Sequence, residues 1–352
     1  MPVIEVDGSM HSGSGTLLRY AAVLATLLGE SLHMYGIRAS RDKPGLRPQH
    51  LVALKACAGL SRGELEGAEI NAREIRYRPG LQVKGGSYHW DIGTAGSTTM
   101  LAFALLPLAL YADGPCTFTL TGGLFQDFAP SAFHMQRVLL PLVRKMGGEV
   151  QLEIIRPGYV PQGRGVLRMQ AGRLRRPLRP LRMPVQGNIT KIGGVALSSH
   201  LRQERVSDRM ARECARLLGR WKYPLNLDIC YDETAVQKGA ALMLRAETDT
   251  GCLLGSDQAG KRGRRSESIA DFVVKTLMED VRSGATTDRH LADQLILFAA
   301  LAENKTEYVL PAMTDHVQSN LWLVRELLGV GVNLQGNHLT IEGIGLDPSR
   351  IG

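Results

Sequence analysis

The sequence predicts an α/β (α+β) chain: three repeated strand-and-helix units forming a large domain, with a small α/β domain inserted between the second and third. Two observations predict it. The order strand, Gly-rich turn, helix, strand, helix, strand recurs three times along the chain. Between the second and third occurrences, residues 185–282 carry a complete set of strands and helices of their own. The composition agrees: 352 residues with 44% hydrophobic and 22% charged side chains are ample for a large core.

In the first unit "IEVDGS" reads as a strand and "HSGSG" as its turn. The helix "TLLRYAAVLATLLGE" follows, with Leu17, Ala21, Leu24 and Leu28 on one face. Then come the strand "SLHMYGIRA", the helix "PQHLVALKACAGLS" and strands ending in "IRYRPG". The second unit reads "YHWDIG", turn "TAGS", helix "TTMLAFALLPLALYADG", strand "CTFTLTGG", helix "SAFHMQRVLLPLVRKMG" and strand "EVQLEIIRPG". The third runs from "GATT" through helix "DRHLADQLILFAALAEN", strand "TEYVLPAM" and helix "DHVQSNLWLVRELLGV" to strands "VNLQG" and "HLTIEG". The insert is expected to hold a helix near Leu201–Leu218, strands "LNLDICYD", "ALMLRAE" and "GCLLGSD", and helix "SESIADFVVKTLMEDV". The expected division is therefore 1–184 with 283–352 as the large domain and 185–282 as the insert.

Charge points to an anionic partner. Lys and Arg number 42 against 34 Asp and Glu, a net charge of +8. From Ile154 to Gln203 there is no acid, yet Arg156, Arg164, Arg168, Arg173, Arg175, Arg176, Arg179, Arg182, Lys191 and Arg202 all fall there. A second basic cluster, "KRGRR", spans Lys261 to Arg265. Such runs suit phosphate backbones, and the acid-free tract is the expected nucleic-acid-binding surface. The five cysteines are scattered and form no C-x-x-C, which speaks against a disulfide framework or zinc site and for a cytoplasmic protein. No apolar leader opens the chain, and "LAFALLPLALYA" is shorter than the ~20 residues a membrane span needs.

Four segments carry candidate chemistry. "DGSMHSGSGTLLR" is a strand-to-helix turn of the kind that aims amides at an anion, though no P-loop G-K-[ST] follows. "GIRASRDKPGLRPQH" sets Arg38, Arg41, Lys43, Arg47 and His50 against one acid, Asp42, on a turn stiffened by Pro44 and Pro48. In "RHLADQ", His290, Asp293 and Gln294 fall at i, i+3 and i+4 and share one helix face. In "MTDHVQSN", Thr314 or Asp315 is an N-cap and His316 lies in the first turn. The positive helix end disfavours imidazolium, leaving the neutral ring a nucleophile needs.

Together "GIRASRDKPGLRPQH", "IGTAGS", "RVLLPLVRKMG", "LADQL" and the H-x-x-x-N of "HVQSN" resemble the RNA 3'-terminal phosphate cyclase family, over nearly the whole chain. The resemblance implies three β-α-β-α-β-β units with the insert between the second and third. It implies ATP-dependent conversion of an RNA 3'-phosphate to a 2',3'-cyclic phosphate through a covalent histidine–AMP. It implies His316 as the nucleophile, and Arg19, Arg38, Arg41 and Gln49 on the phosphates. Pro130, His134, His290, Asp293 and Gln294 are implied around the nucleotide. The implied partners are ATP, RNA 3' ends bearing a phosphate, and a divalent cation, Mg or Mn. The departures are Ser12 where the family usually has the Glu thought to hold the metal, Thr16 and Phe103 where it usually has Gln, and His134 and His290 where it usually has Phe and Tyr. They motivate an alternative: a catalytically weakened, cyclase-like RNA-binding or RNA-processing factor.

Overall fold

The computed structural model describes residues 3–11, 13–127 and 129–351. The fold is mixed α/β, with four four-stranded sheets among the described residues. The chain begins with β1 (Val3–Asp7), α1 (Gly15–Leu28), β2 (Ser31–Tyr35), α2 (Pro48–Ser61), β3 (Glu64–Glu66) and β4 (Ile75–Arg78). These form a sheet of order β1-β2-β4-β3, in which β1 and β2 are parallel and the other pairs antiparallel. Next come β5 (Gly86–Asp91), α3 (Thr98–Leu110), β6 (Cys116–Gly122), α4 (Ala132–His134), a π-helical turn (Met135–Leu139), α5 (Leu140–Lys145), β7 (Val150–Arg156) and β8 (Gly165–Ala171). Their sheet, β5-β6-β8-β7, has the same order and the same pairing senses.

A short strand β9 (Arg182–Met183) precedes β10 (Ile189–Ser199), α6 (Val206–Leu218), β11 (Leu225–Asp232), β12 (Gly239–Thr248), β13 (Leu253–Ala259) and α7 (Ser266–Arg282). Strands β10 to β13 form their own sheet, β11-β10-β12-β13. The chain then returns with α8 (Leu291–Leu301), β14 (Lys305–Val309), α9 (Asp315–Leu328), β15 (Gly331–Gln335) and β16 (His338–Glu342). These strands pair with β9 in the order β9-β14-β16-β15, again parallel then antiparallel twice. Among the described residues no helix is long and apolar enough to cross a membrane.

The core lies between the helices. Helix α1 packs against α2, α3 and α9, and its residues from Thr16 to Leu27 are all buried. The expected one-sided stripe is thus an enclosed helix, as an element apolar all round must be. Besides the two-residue β9, two strands escaped the sequence pattern. Central strand β10 is interrupted by Gly193-Gly194, and β8 lies inside the arginine-rich tract. Helix α8 starts at Leu291, later than its apolar period suggests, because Asp288 caps it: Asp288 Oδ1 accepts the amides of His290 and Leu291, both at 2.8 Å.

The arginine tract also sits elsewhere than expected. Residues 172–183 form an extended strap with Leu174, Leu178, Leu181 and Met183 buried and Arg175, Arg176, Arg179 and Arg182 exposed. Leu174 N donates to Leu110 O, Arg179 N to Met146 O, and Leu178 O accepts from Glu303 N, each at 2.8 Å. The strap therefore crosses the C-terminal ends of α3, α5 and α8, where cations complement the helix dipoles.

Candidate active site

At the opposite ends of α3 and α8 lies a cavity of about 630 Å³, within the range of small-molecule sites. Its walls are the beginnings of α1, α2, α3, α8 and α9, together with the loop before α2 and the loop after β6. Helix beginnings carry unpaired amides and partial positive charge, so their convergence favours an anion.

Each wall is set locally. Ser14 caps α1, accepting the Thr16 amide at 3.3 Å. One turn on, Arg19 is only 4% exposed; its Nη2 donates to Thr16 Oγ1 at 3.2 Å, and its Nε has no partner among the described residues. Burial, with Arg38 nearby, lowers the Arg19 pKa to about 10, which still leaves it a cation at neutral pH. In the loop before α2, Arg38 Nη1 donates to the carbonyls of Lys43 (2.9 Å) and Gly45 (3.1 Å). Gly45 has φ +77°, and a Cβ there would lie 2.2 Å from Asn71 O. The loop is thus held by Gly45 and by Arg38 itself, besides its prolines. Arg41 is exposed on the cavity side, and Arg47 lines the wall while donating to Asn71 Oδ1 at 2.9 Å.

Helix α2 begins with Pro48, and the Arg47 amide donates to His50 Nδ1 at 3.2 Å. That bond leaves the proton on Nε2. Burial and the cations Arg19, Arg38 and Arg47 hold His50 well below the ordinary histidine pKa, so the ring is neutral. Gln49 Oε1 accepts the Ser97 amide at 3.0 Å, tying α2 to the start of α3. At the start of α8, Gln294 is buried and Asp293 and His290 are half-buried against the cavity. Burial, with Asp288 nearby, raises the Asp293 pKa to about 7, so this carboxyl keeps a proton far more readily than an ordinary aspartate and can then donate as well as accept. Asn320 Nδ2 donates to Asp293 O at 3.1 Å; Gln294 Oε1 and Asn320 Oδ1 are buried without partners among the described residues.

Thr314, not Asp315, caps α9, its Oγ1 accepting the Val317 amide at 3.2 Å. His316 follows in the first turn and opens onto the cavity. Partial burial, Arg19 and Arg41 lower its pKa, which keeps the ring neutral at pH 7. Thus Arg19, Arg38, Arg41, Gln49, Pro130, His290, Asp293, Gln294 and His316 share one cavity wall. Arg47, His50, Ser97 and Asp127 line it too and were not singled out as site residues. Arg47 and His50 stood in a segment already marked by its cations, and Ser97 ends the "IGTAGS" turn, whereas nothing local signals Asp127.

A family model described as RNA 3'-terminal phosphate cyclase matches residues 10–334. The chain belongs to the RNA 3'-terminal phosphate cyclase family. It is 35% identical over 327 residues to the RNA 3'-terminal phosphate cyclase of Nitrosospira multiformis, covering 93% of this chain and 92% of that one. It is 35% identical over 348 residues to that of Archaeoglobus fulgidus, covering 97% and 100%. With that of Methanopyrus kandleri it shares 33% over 346 residues, 96% of each. The solved enolpyruvyl transferase NikO from Streptomyces tendae aligns with 97% of this chain at 13% identity and a TM-score of 0.26; the chain spans 51% of that one, and the likeness carries no argument.

The positions that depart from the cyclase family's usual residues fall in different places. Thr16 lines the cavity and binds Arg19. Phe103 lies in the core, packed on Tyr20 (5.4 Å) and Phe298 (5.9 Å), and does not reach the cavity. His134 corrects an expectation: it does not line the cavity but stands behind His290, ring centroids 5.8 Å apart and edge-on. Its Nε2 lies 3.0 Å from Asp288 Oδ2, and both side chains are fully buried. Burial lowers the His134 pKa, but the Asp288 carboxylate outweighs it and the net shift is upward. Ser12 lies outside the described residues. Among the described residues no group of three or more His, Cys, Asp or Glu side chains could hold a metal ion. Of the cavity's carboxylates, Asp127 is bound through both oxygens to Arg264, and half-buried Asp293 has its pKa raised to about 7. This donor set does not fit a protein-held divalent cation.

Proposed function

We propose that this chain converts an RNA 3'-phosphate end to a 2',3'-cyclic phosphate, using ATP and a covalent His316–AMP. The His316 ring attacks the α-phosphorus of ATP; a P–N bond forms, the bond to the β-phosphate oxygen breaks and pyrophosphate leaves. The RNA 3'-phosphate then takes the AMP, giving RNA-(3')pp(5')A and freeing His316. The vicinal 2'-hydroxyl attacks the RNA phosphorus, loses its proton and expels AMP. Adenylylation divides a hard step, because a phosphate monoester dianion has no leaving group. The observation that carries this is one cavity holding a neutral first-turn histidine beside Arg19, Arg38 and Arg41.

The same reading gives roles to the walls. Arg19, Arg38, Arg41 and Gln49 cancel charge as phosphates converge. Pro130, His290, Asp293 and Gln294 enclose the adenine and ribose, with His134 bracing His290. The three sheets of like order support three repeated β-α-β-α-β-β units in 1–184 and 283–352, with 185–282 as an inserted domain. Free cysteines Cys57, Cys116, Cys214, Cys230 and Cys252 are consistent with the cytoplasm.

The alternative, a weakened cyclase-like RNA-binding factor, is favoured by Phe103, whose apolar packing removes the amide usual there. One experiment separates the two. Purified protein is incubated with α-labelled ATP under a panel of divalent cations, and acid-labile label on protein is measured. The cyclase forms the adduct and His316→Ala does not; RNA binding with no adduct under any cation establishes the alternative.

A further inference from the structure

We infer that the exposed turn Lys261–Arg265, between β13 and α7, is the surface that holds the RNA's phosphodiester backbone as the 3' end enters the cavity. The inference rests on the cyclase reading for the identity of the RNA end. Three observations carry it.

The turn is built and fixed. Arg264 N donates to Lys261 O at 2.9 Å, and Gly263 at the third position has φ +83°, as a type II turn requires. Gly260 N anchors the base of the turn on Ala240 O at 2.7 Å. It is also fastened to the cavity wall. Arg264 turns inward, half-buried, and grips both oxygens of Asp127 at 2.8 and 2.9 Å. Asp127 belongs to the same cavity wall as Gln126, Ala129 and Pro130. With Arg264 as the anchor, Lys261, Arg262 and Arg265 face solvent, and among the described residues none of the three has an ion-pair partner.

Geometry separates this turn from the other basic surface. The strap arginines Arg175, Arg176 and Arg179 lie at the C-terminal ends of α3, α5 and α8, while the cavity lies at the N-terminal ends of α3 and α8. A 13-residue helix such as α3 is about 20 Å long, so the strap is about that far from where a 3'-phosphate would react. An RNA strand that leaves the cavity on its Asp127 side runs past Lys261 and Arg262. Unpaired cations there meet the repeating charge of the strand without reading its sequence.

The test uses the full chain and 3'-phosphorylated oligoribonucleotides of increasing length, with a nucleoside 3'-phosphate as the shortest member. Equilibrium affinity is measured against salt, with KM for cyclisation and label transfer from ATP measured alongside. Lys261→Ser with Arg262→Ser should weaken oligonucleotide binding about tenfold, while the shortest member is unaffected. The slope of log affinity against log salt should fall by about 1.4, two phosphate contacts at about 0.7 each. Arg175→Ser, Arg176→Ser and Arg179→Ser together should change neither. Unaltered affinity and slope in the first variant, or the loss appearing in the second instead, overturn the proposal. Adduct formation reports the cavity separately: if the unaltered chain forms none, the cyclase reading fails, yet the binding comparison still decides the turn.

Discussion

His316 is placed by a local device, the Thr314 cap, and kept neutral by partial burial and its arginine neighbours. Because its pKa lies below the ordinary 6.5, the rate of adduct formation should fall on the acid side with its midpoint below pH 6.5, as protonation removes the attacking lone pair. A single-turnover pH profile checks this; an acid limb with its midpoint above 6.5 contradicts it. Arg41→Ala should cut adduct formation by about 10²–10³-fold while leaving oligonucleotide affinity unchanged, since its charge faces ATP rather than the strand. Rapid-quench label transfer and equilibrium binding measure the two effects. Much of this scale was legible in the sequence. The cap before His316 and the cations of "GIRASRDKPGLRPQH" are local signals, readable without the fold. His134 was not: whether a ring faces a cavity or stands one layer behind it depends on packing across α8, which no short segment encodes.

At the scale of elements, the start of α8 is the critical junction. Asp288 caps that helix, pairs with His134 of α4, and accepts the Gly255 amide of β13 at 2.8 Å. Asp288→Ala loses a cap, about 1 kcal/mol, and leaves His134 buried without its counter-ion, for a total cost of about 3–5 kcal/mol by urea denaturation. The pH dependence has a definite sign. Asp288, its pKa lowered to about 2, contributes stability above the unfolded carboxylate value near 4, and loses it as pH falls towards 2. His134, its pKa raised, contributes below the unfolded value near 6.5 and loses it as pH rises through the raised folded value. The stability gap between the unaltered chain and His134→Phe should therefore be widest between about pH 4 and 6.5. The helices were legible from their apolar period. Strand β10 was not, because Gly193-Gly194 removes the side chains that would show alternation, and its partners β11 and β12 follow it in the chain.

On the scale of the whole molecule, the cavity exists only where helix beginnings far apart in sequence meet around α1. Its cations and helix ends are prepaid repulsion that an anion relieves, so ATP should stabilise the fold. At a hundred times its Kd, ATP should add about 2.7 kcal/mol to unfolding, with a smaller gain for Arg41→Ala at the same concentration; thermal melts read both. The sequence could show that cations and caps were present, but not that Gln49 would reach the Ser97 amide or that Arg264 would fasten the turn after β13 to Asp127. The placement of the arginine strap is the same lesson. Composition marked it as a nucleic-acid surface, while the burial of Leu174, Leu178 and Leu181 turned it to the far ends of the helices. The decisive measurement is label transfer from α-labelled ATP to the purified full chain across divalent cations. Acid-labile AMP on His316, absent from His316→Ala, is the predicted result; no adduct under any cation, or an undiminished adduct in His316→Ala, would contradict it.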